Sequence, residues 1–482
     1  MKNNVDRIAL LVFILATCIL GNSCRRTQEN SASMTHSADS SRELGSEVQR
    51  DSSRIAKRTG GTQNRPRNLA SAANLNSIER GVQYLLAQQH EDGAWRSEYY
   101  GNLKNGAGLT AFVLYAIAHA KPFLREWPEN EFNRGVESLI PNIVKFGYVT
   151  NDDGPDYSNY GSASLLRACH LGGVQLPMDV ETKLVMYLIQ AQLGEEDGFA
   201  DDQPDFGGWD LSGWMTGHRM TTGTNISVSA FVIESLIPYL VSSGELNDRT
   251  GKVLASSGFA GSLINKSLLA DVEKCLVRAA NWTLKLQNRR DATGIEDAQS
   301  GGFFFHPKKD HDGNKAEWVQ ESRTRPRSYG TATADGFRSL VVLASVLGRP
   351  DSSEDTRVLS DELMERASEA KDWLARNESL DMVPGFDWES SEQSWREGLR
   401  YYYWFSRSKA YRLDSLLFED PNRDSTARHF AAMKDHIETA QNAKGYWQNR
   451  NARMREDDPI IATSFAVIAL SQLQQLPEKP EN

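Results

Sequence analysis

The sequence predicts an all-α protein built from paired helices, and the prediction begins with residues 78–120. This stretch contains two helical patterns separated by a turn. The first has an apolar stripe at i, i+4, i+7 and i+8, running from Ile78 to Leu86, with polar residues on its other face. The second, residues 108–118, is apolar almost all round, which is typical of a helix buried on every side. Such a pair indicates an outer helix packed on an inner one.

The same pairing recurs along the chain, with a glycine and an aromatic residue between the two helices of each pair. Further outer helices are predicted to begin near Arg134, Glu181, Asp271, Asp361 and Ser425. The turns that follow them are predicted at Gly147–Tyr148, Gly198–Phe199, Gly302–Phe303, Gly385–Phe386 and Gly445–Tyr446–Trp447. Inner helices then begin near residues 160, 224, 329, 399 and 460. Six hairpins fit closure into an α/α toroid, with inner and outer helix rings, better than an open solenoid.

The turns carry a resemblance to a known group of proteins. Residues 89–95, Gln-His-Glu-Asp-Gly-Ala-Trp, resemble the Gln…Gly-x-Trp repeat of squalene–hopene cyclases and protein prenyltransferases. Residues 441–447 are a second good match, and 287–303 are a degenerate match with an insertion. Residues 329–336 are similar to an inner-helix start in cyclase-like proteins. The resemblance covers residues 77–475 and implies a terpenoid cyclase/prenyltransferase-like toroid, but it says much less about the reaction.

The N-terminus is predicted to direct export. Lys2 and Arg7 precede an apolar run, residues 8–20, that has the length of a signal peptide. Small residues directly before Cys24 resemble a bacterial lipoprotein processing site, so residues 1–24 are predicted to be a signal and Cys24 to be lipidated. An ordinary cleaved signal or an uncleaved anchor is the alternative. The expected location is extracytoplasmic, at the membrane through a lipid anchor.

Residues 25–76 are predicted to be a disordered tether, because they are polar, lack aromatic residues and show no periodicity. The first 76 residues carry a net charge of +5, so with −10 for the whole chain residues 77–482 carry −15. Such an acidic body argues against nucleic acid as a partner. Cys169 and Cys275 in the toroid are expected to be buried and unpaired rather than joined in a disulfide.

Three acidic residues near inner-helix starts are the candidate catalytic groups: Asp335, Asp457 and Asp458. In cyclases an Asp-x-Asp-Asp cluster protonates an alkene, and Asp457 and Asp458 match its last two positions. Arg455 replaces the first aspartate and is expected to lower the pKa of its neighbours, which opposes proton donation. Capping of a helix N-terminus is therefore the favoured role of the pair. Asp335 is expected either to face the mouth of the ring beside Tyr329 or to pair with Arg338 at i+3.

Metal-dependent prenyl transfer is not indicated, and no metal or other cofactor is predicted. The Cys169–His170 pair lies within an inner helix and is expected to be part of the core rather than a zinc site. The segment from His306 to Gly313 is expected to be a solvated loop rather than a metal site.

Aromatic residues beside polar ones suggest a ligand-binding surface. The candidate ligand-binding residues are Tyr329, Trp209, Trp214, His218, Tyr401 and Trp404. The leading hypothesis is an exported toroid that binds an apolar or isoprenoid-like ligand in its central cavity, with catalysis left open. The alternatives are a carbohydrate-active toroid, whose cleft would need aromatic platforms and paired carboxylates, and a non-catalytic protein-interaction scaffold.

Overall fold

The computed structural model of the protein describes residues 75–100, 105–151, 157–211, 214–215, 218–219, 223–241, 266–289, 297–319, 323–386, 394–418 and 423–474. Every described residue belongs to one compact unit, Ala70–Asn482. The predicted signal peptide, Cys24 and the tether up to residue 74 lie outside the described residues. Within the described ranges, no helix combines the length and the apolar character needed to cross a membrane.

The described part of the chain is helical and forms six hairpins, as predicted. The outer helices are α1 (Ser77–Ala87), α3 (Glu129–Phe146), α5 (Met178–Gln190), α7 (Lys266–Leu284), α9 (Glu354–Arg376) and α12 (Arg423–Thr439). The inner helices are α2 (Ala107–Ala120), α4 (Ser158–Gly172), α6 (Ile226–Val241), α8 (Gly330–Leu347), α11 (Arg400–Leu417) and α13 (Pro459–Gln474). The smaller elements are α10 (Trp395–Gly398), the 3₁₀ turns Lys121–Phe123 and Glu195–Asp197, and a hairpin of β1 (Trp214–Met215) with β2 (His218–Arg219).

The inner helices close into a ring. Helix α2 packs against α4, α4 against α6, α6 against α8, α8 against α11, α11 against α13, and α13 packs back against α2. The inner helices are enclosed on nearly every side: every residue of α8 is buried, and so is every residue of α2 except Phe112. The outer helices pack on the outside of this ring, and α1 contacts α13 as well as α2. The fold is therefore an α/α toroid, and packing of its last inner helix against its first excludes an open solenoid.

A glutamine fastens each of four turns to the next outer helix. Its side-chain amide donates one hydrogen bond to the carbonyl of the turn glycine and a second to a carbonyl of the following outer helix, all at 2.8–3.0 Å. The glutamines are Gln89, Gln192, Gln287 and Gln441. The last of them reaches Ser77 in α1, so the seam of the ring is joined by the same hydrogen bonds as the other turns.

The turn glycines are required by their backbone. Gly93, Gly207, Gly301 and Gly445 have φ between 88° and 93°, and a Cβ on any of them would lie within 2.8 Å of a carbonyl oxygen in the next outer helix. The aromatic residue after the glycine joins the two helices of its hairpin. As expected, the Trp447 indole donates to the Ile437 carbonyl in α12 at 2.7 Å, and its backbone N–H donates to the Thr463 hydroxyl in α13 at 3.0 Å. Trp95 makes the equivalent bonds to Leu85 and Thr110.

Two details of the predicted repeat are wrong. The third turn uses Gly207 and Trp209 rather than Gly198–Phe199, because the segment between Gln192 and Gly207 is an insertion that separates the two halves of the motif. The outer helices also begin two to seven residues earlier than predicted. In α3, α5 and α9 the first turn is charged and follows a proline or a capping serine, so its sequence looks like a loop. The expectation for Cys169 and Cys275 is confirmed, since both are free and buried.

Candidate functional site

Aromatic rings from five of the six inner helices meet across the axis of the ring near the N-terminal ends of those helices. We call this group the aromatic floor, and it consists of Phe112, Tyr160, Phe231, Tyr402, Phe405 and Phe465. Phe231 of α6 and Phe405 of α11 lie on helices that are not neighbours in the ring, yet their ring centroids are 5.4 Å apart. Phe112 lies 6.4 Å from Phe231 and 4.8 Å from Phe465. All six rings lie in the first two turns of their helices, so the inner helices are parallel and share one mouth.

The floor is not sealed from solvent. Phe112, Tyr160 and Phe465 are partly exposed, whereas Phe231, Tyr402 and Phe405 are buried. An apolar surface that is open at the mouth of a helix ring is a common setting for a ligand site.

A polar wall continues from the floor. We define it as Tyr157, Arg455, Tyr100 and Asp457. The Tyr157 ring lies 6.5 Å from Tyr160 of the floor, and the Arg455 guanidinium lies 5.4 Å from the Tyr157 ring centroid and 4.9 Å from that of Tyr100. The Tyr100 hydroxyl donates a hydrogen bond to the Asp457 carboxylate. The wall therefore places a cation, a carboxyl group and two phenols beside an apolar surface.

Arg455 is held in an unusual backbone conformation. Its φ is 62°, in the left-handed region that residues with a side chain seldom occupy, and such a conformation costs roughly 1–3 kcal/mol. Its Nη1 atom is buried and has no hydrogen-bond partner. Strain of this kind persists where the surrounding structure over-determines it, which is frequent at binding sites.

The two carboxyl groups beside Arg455 differ in their roles. Asp458 caps α13, accepting a hydrogen bond from the Ile460 N–H at 2.8 Å, and it also accepts from the Ser97 hydroxyl. Asp457 is half-buried in the wall. Burial raises the pKa of both, and the neighbouring Asp458 raises that of Asp457 further. The expectation that Arg455 would lower these pKa values is wrong, because its guanidinium lies against aromatic rings instead of the carboxylates.

Glu456 lies behind the wall and is fully buried. Its carboxyl oxygens accept hydrogen bonds from the backbone N–H groups of Tyr401 and Tyr402 at the start of α11, and from the Asn449 amide. Burial outweighs these bonds and raises the pKa of Glu456 to about 7. Glu456 thus fixes the N-terminus of the helix that carries two rings of the floor.

A charged layer adjoins the floor. It consists of Arg167, Glu234, Asp335, Arg338 and Lys409, all buried inside the ring. Asp335 lies at the sixth position of its helix, as Phe231 and Phe405 do, and the other four lie about one turn further along their helices. Glu234 of α6 pairs with Arg338 of α8 and, across the axis, with Lys409 of α11. Lys409 also donates to the Tyr115 hydroxyl of α2 at 3.0 Å. Burial opposes ionisation of Glu234, but Arg338, Lys409 and Arg167 together lower its pKa to about 2.

Asp335 belongs to this layer and pairs with Arg338, one of the two predicted alternatives. Its carboxylate accepts from Arg338 at 2.6 Å, from the Tyr402 hydroxyl at 2.6 Å and from the Ser406 hydroxyl. It is fully buried, and burial raises its pKa despite the arginine. Side chains therefore cross the axis at the floor and again at the charged layer. A ligand that enters through the mouth meets the floor first.

The other predicted ligand-binding residues are separated by the structure. Trp209 is a repeat aromatic, fully buried, with its indole donating to the Leu188 carbonyl at 2.7 Å. Trp404 is buried and donates to the Leu380 carbonyl at 3.0 Å, and Tyr401 packs against it with a centroid distance of 4.8 Å. Tyr329 is buried at the start of α8 beside Phe386. These four side chains are part of the packing within and between the hairpins.

Trp214 and His218 lie in the short β-hairpin, where Trp214 pairs with Arg219 and Met215 with His218. Their side chains lie outside the described part of the chain.

The candidate metal-binding segments are occupied by other contacts. His306 and His311 stack with centroids 3.8 Å apart, and the backbone of Gly223 lies against the His306 Nε2 atom. Burial raises the pKa of the Cys169 thiol, which disfavours the thiolate that zinc requires. Among the described residues, no group of three or more His, Cys, Asp or Glu side chains has a geometry suited to a metal ion.

The sequence-based predictions did not include the aromatic floor or most of the charged layer. The sequence nevertheless contains a pattern that indicates each of them. Glu234 is the one acidic residue in α6, and Phe112, Phe231 and Phe405 share the sixth position of their helices. Aligning the inner helices by their first residues places these positions at one height.

Known structures resemble this chain only distantly. No protein-family model matches the chain, and no curated protein sequence matches it. An α-1,6-mannanase from Salegentibacter sp. has 12% sequence identity and a TM-score of 0.47, covering 83% of this chain and 99% of its own. A type II terpene cyclase from Scytonema has 13% identity and a TM-score of 0.44, covering 83% and 98%. A possible member of the GH105 family from Salmonella enterica has 10% identity and a TM-score of 0.47, covering 83% and 93%.

Proposed function

We propose that the protein binds a saccharide at the mouth of its helix ring. The sugar's apolar face lies on the aromatic floor, and its hydroxyl groups point to the polar wall. The observation that carries the proposal is the continuity of the two surfaces from Tyr160 through Tyr157 to Arg455. A sugar ring has C–H faces that pack on aromatic rings and hydroxyls that need hydrogen-bond partners, so its site combines an apolar platform with a few placed polar groups.

Arg455 supports this assignment because its Nη1 atom is buried without a partner. A sugar hydroxyl can accept from that donor, while Asp457 can accept from another hydroxyl. Hydrolysis of a glycosidic bond needs two cooperating carboxyl groups. Asp458 is committed to capping α13, so the proposal is limited to binding.

A short apolar group, as in an isoprenoid, is the second candidate ligand, and the floor alone favours it. A long isoprenoid chain would require an enclosed cavity. The contact of Phe231 with Phe405 across the axis, and the charged layer below it, leave such a chain no path toward the centre. This candidate is therefore restricted to a group that lies on the floor.

Calorimetric titration of the full chain with α-1,6-mannotetraose and with geraniol, a short isoprenoid alcohol, separates the two candidates. We expect the saccharide to bind, Arg455→Ala to weaken its binding about tenfold (1.4 kcal/mol), and Phe146→Leu, on outer helix α3, to leave its binding unchanged. Binding of geraniol alone, unaffected by Arg455→Ala, would favour the apolar ligand over the saccharide. Binding of neither, also across a wider panel of neutral oligosaccharides, would favour an interaction scaffold.

We also propose that the protein works outside the cytoplasm and is held at a membrane by a lipid on Cys24. The basic leader, its apolar run and the small residues before Cys24 support this. Cell fractionation and mass spectrometry of the mature N-terminus test it. A mature form that begins elsewhere than Cys24 would exclude the lipid, and a full-length cytosolic protein would exclude export.

A further inference from the structure

A cleft opens on the outer side of the polar wall, at the seam where the last hairpin meets the first. It has a volume of about 480 Å³ and is lined by Tyr99, Asn442, Tyr446, Gln448, Arg450 and Asp457, among others. This volume lies within the range of small-molecule sites, roughly 300–1,000 Å³. Asp457 lines the cleft and also belongs to the wall, so the cleft and the mouth share a side chain.

The two tyrosines give the cleft aromatic surfaces. Tyr99 is 58% exposed, which makes it one of the most exposed large apolar side chains in the described residues. Tyr446 is partly exposed and is supported from behind by Tyr84, with ring centroids 4.9 Å apart. A single exposed tyrosine needs no explanation. Two that line one cleft beside a carboxyl group resemble the combination already described at the mouth.

The polar side chains of the cleft are held in place by the backbone of the seam. The Gln448 amide donates to the Asp457 carbonyl at 2.8 Å, and the Asn442 side chain accepts from the Lys444 N–H at 2.8 Å. Arg450 is exposed and points a charged group to the same opening. The cleft thus offers pre-positioned hydrogen-bonding groups without a deep apolar interior, which suits a polar ligand better than an apolar one.

We propose that this seam cleft is a second saccharide subsite, so that the protein binds a chain of linked sugars that passes Asp457 from the mouth into the cleft. The inference rests on the proposed function at the mouth and extends it from a single sugar to an oligosaccharide. The chain direction follows from the order of the contacts: floor, wall, Asp457, cleft.

The test is a calorimetric titration of the full chain with ladders of one to four sugars, both α-1,6-linked mannose and β-1,4-linked glucose. For the ladder that binds, we expect affinity to rise at least about tenfold from one unit to four. Tyr99→Ala and Arg450→Ala should each remove most of that gain and leave the affinity for one unit unchanged. Both residues are exposed, so neither variant endangers the fold, and Phe146→Leu serves as the control on a distant surface.

Equal affinity for one and four units, or a gain that survives both cleft variants, would overturn the cleft subsite. If Arg455→Ala still lowers the affinity for one sugar unit in that case, the mouth site stands without the cleft. If neither ladder binds the wild-type protein, the proposed function and the cleft subsite fail together.

Discussion

The aromatic floor and the charged layer are both built from inner-helix side chains that meet inside the ring, but they differ in their exposure to solvent. The floor is apolar, yet three of its six rings are partly exposed. The charged layer holds five ionisable side chains, and all of them are buried and engaged with one another or with Tyr115. In this protein the candidate site is therefore indicated by the partly exposed aromatic surface at the mouth and not by the buried ionic side chains.

The two buried glutamates sharpen the contrast. Glu234 is surrounded by three cations, and its pKa falls to about 2. Glu456 receives mainly N–H donors, and its pKa rises to about 7. Equal burial therefore produces opposite shifts, because burial is only one of the contributions and the neighbouring charges decide the sign.

Loss of the charge of Glu234 should have the largest effect on stability. Glu234→Gln leaves Arg338 and Lys409 without their shared carboxylate in the interior, and breaking a buried pair in this way costs about 3–5 kcal/mol. Urea unfolding measures the loss, and the double variant Glu234→Gln with Lys409→Met should recover part of it. An unchanged free energy of unfolding for the single variant would show that the layer is not a coupled network.

The opposite pKa shifts predict opposite dependences of stability on pH. For Glu234 the pKa is lower in the folded state than its ordinary 4.5, so its contribution is present above pH 4.5 and is lost as pH falls toward 2. For Glu456 the folded pKa is higher, so its contribution is present below pH 4.5 and is lost as pH rises toward 7. Each contribution is roughly 3 kcal/mol. The free energy of unfolding should be measured across this pH range for both variants. Glu234→Gln should abolish the loss of stability toward pH 2, and Glu456→Gln should abolish the loss toward pH 7. A loss that persists in its variant would contradict the assignment.

Asp335→Asn tests whether the charged layer takes part in binding. The amide keeps the shape of the carboxylate but weakens the bonds to Arg338, Tyr402 and Ser406, so we expect a loss of about 1–3 kcal/mol in stability. Ligand affinity per folded molecule should not change. Lost binding at wild-type stability would instead make Asp335 a site residue, and thermal unfolding combined with calorimetry distinguishes the two results.

The smallest effect on stability is expected at the floor. Phe112→Leu replaces a partly exposed ring with a smaller apolar side chain and should cost about 1 kcal/mol. It removes part of the platform, so affinity for the bound saccharide should fall about tenfold in calorimetry. Phe146→Leu is the matched control on outer helix α3. A variant that binds as well as wild type would separate the floor from the site.

Most of the fold could be predicted from the sequence because its cause is local. The apolar character of residues 108–118 and the spacing of Gln89, Gly93 and Trp95 are short-range patterns, and each leads directly to a helix or a turn. The third turn could not be found in this way, since an insertion separates Gln192 from Gly207. The candidate site was harder to predict from the sequence than the fold. The contacts between helices in the floor and the layer join residues about 60 to 350 positions apart, so they depend on ring closure and on the common height of the helices.

Closure of the ring has a consequence for how the repeat number can change. An open array of hairpins can lose or gain a unit at its end, because only one interface is affected and the end units are capped. Here α13 packs against both α11 and α2, and Gln441 bonds to Ser77 across the seam. Loss of any hairpin would therefore expose two apolar helix faces at once, and loss of one that carries Glu234, Arg338 or Lys409 would also leave ions of the charged layer unmatched. The architecture is in this sense all-or-none, and its evolution by single-repeat deletion or duplication is strongly disfavoured.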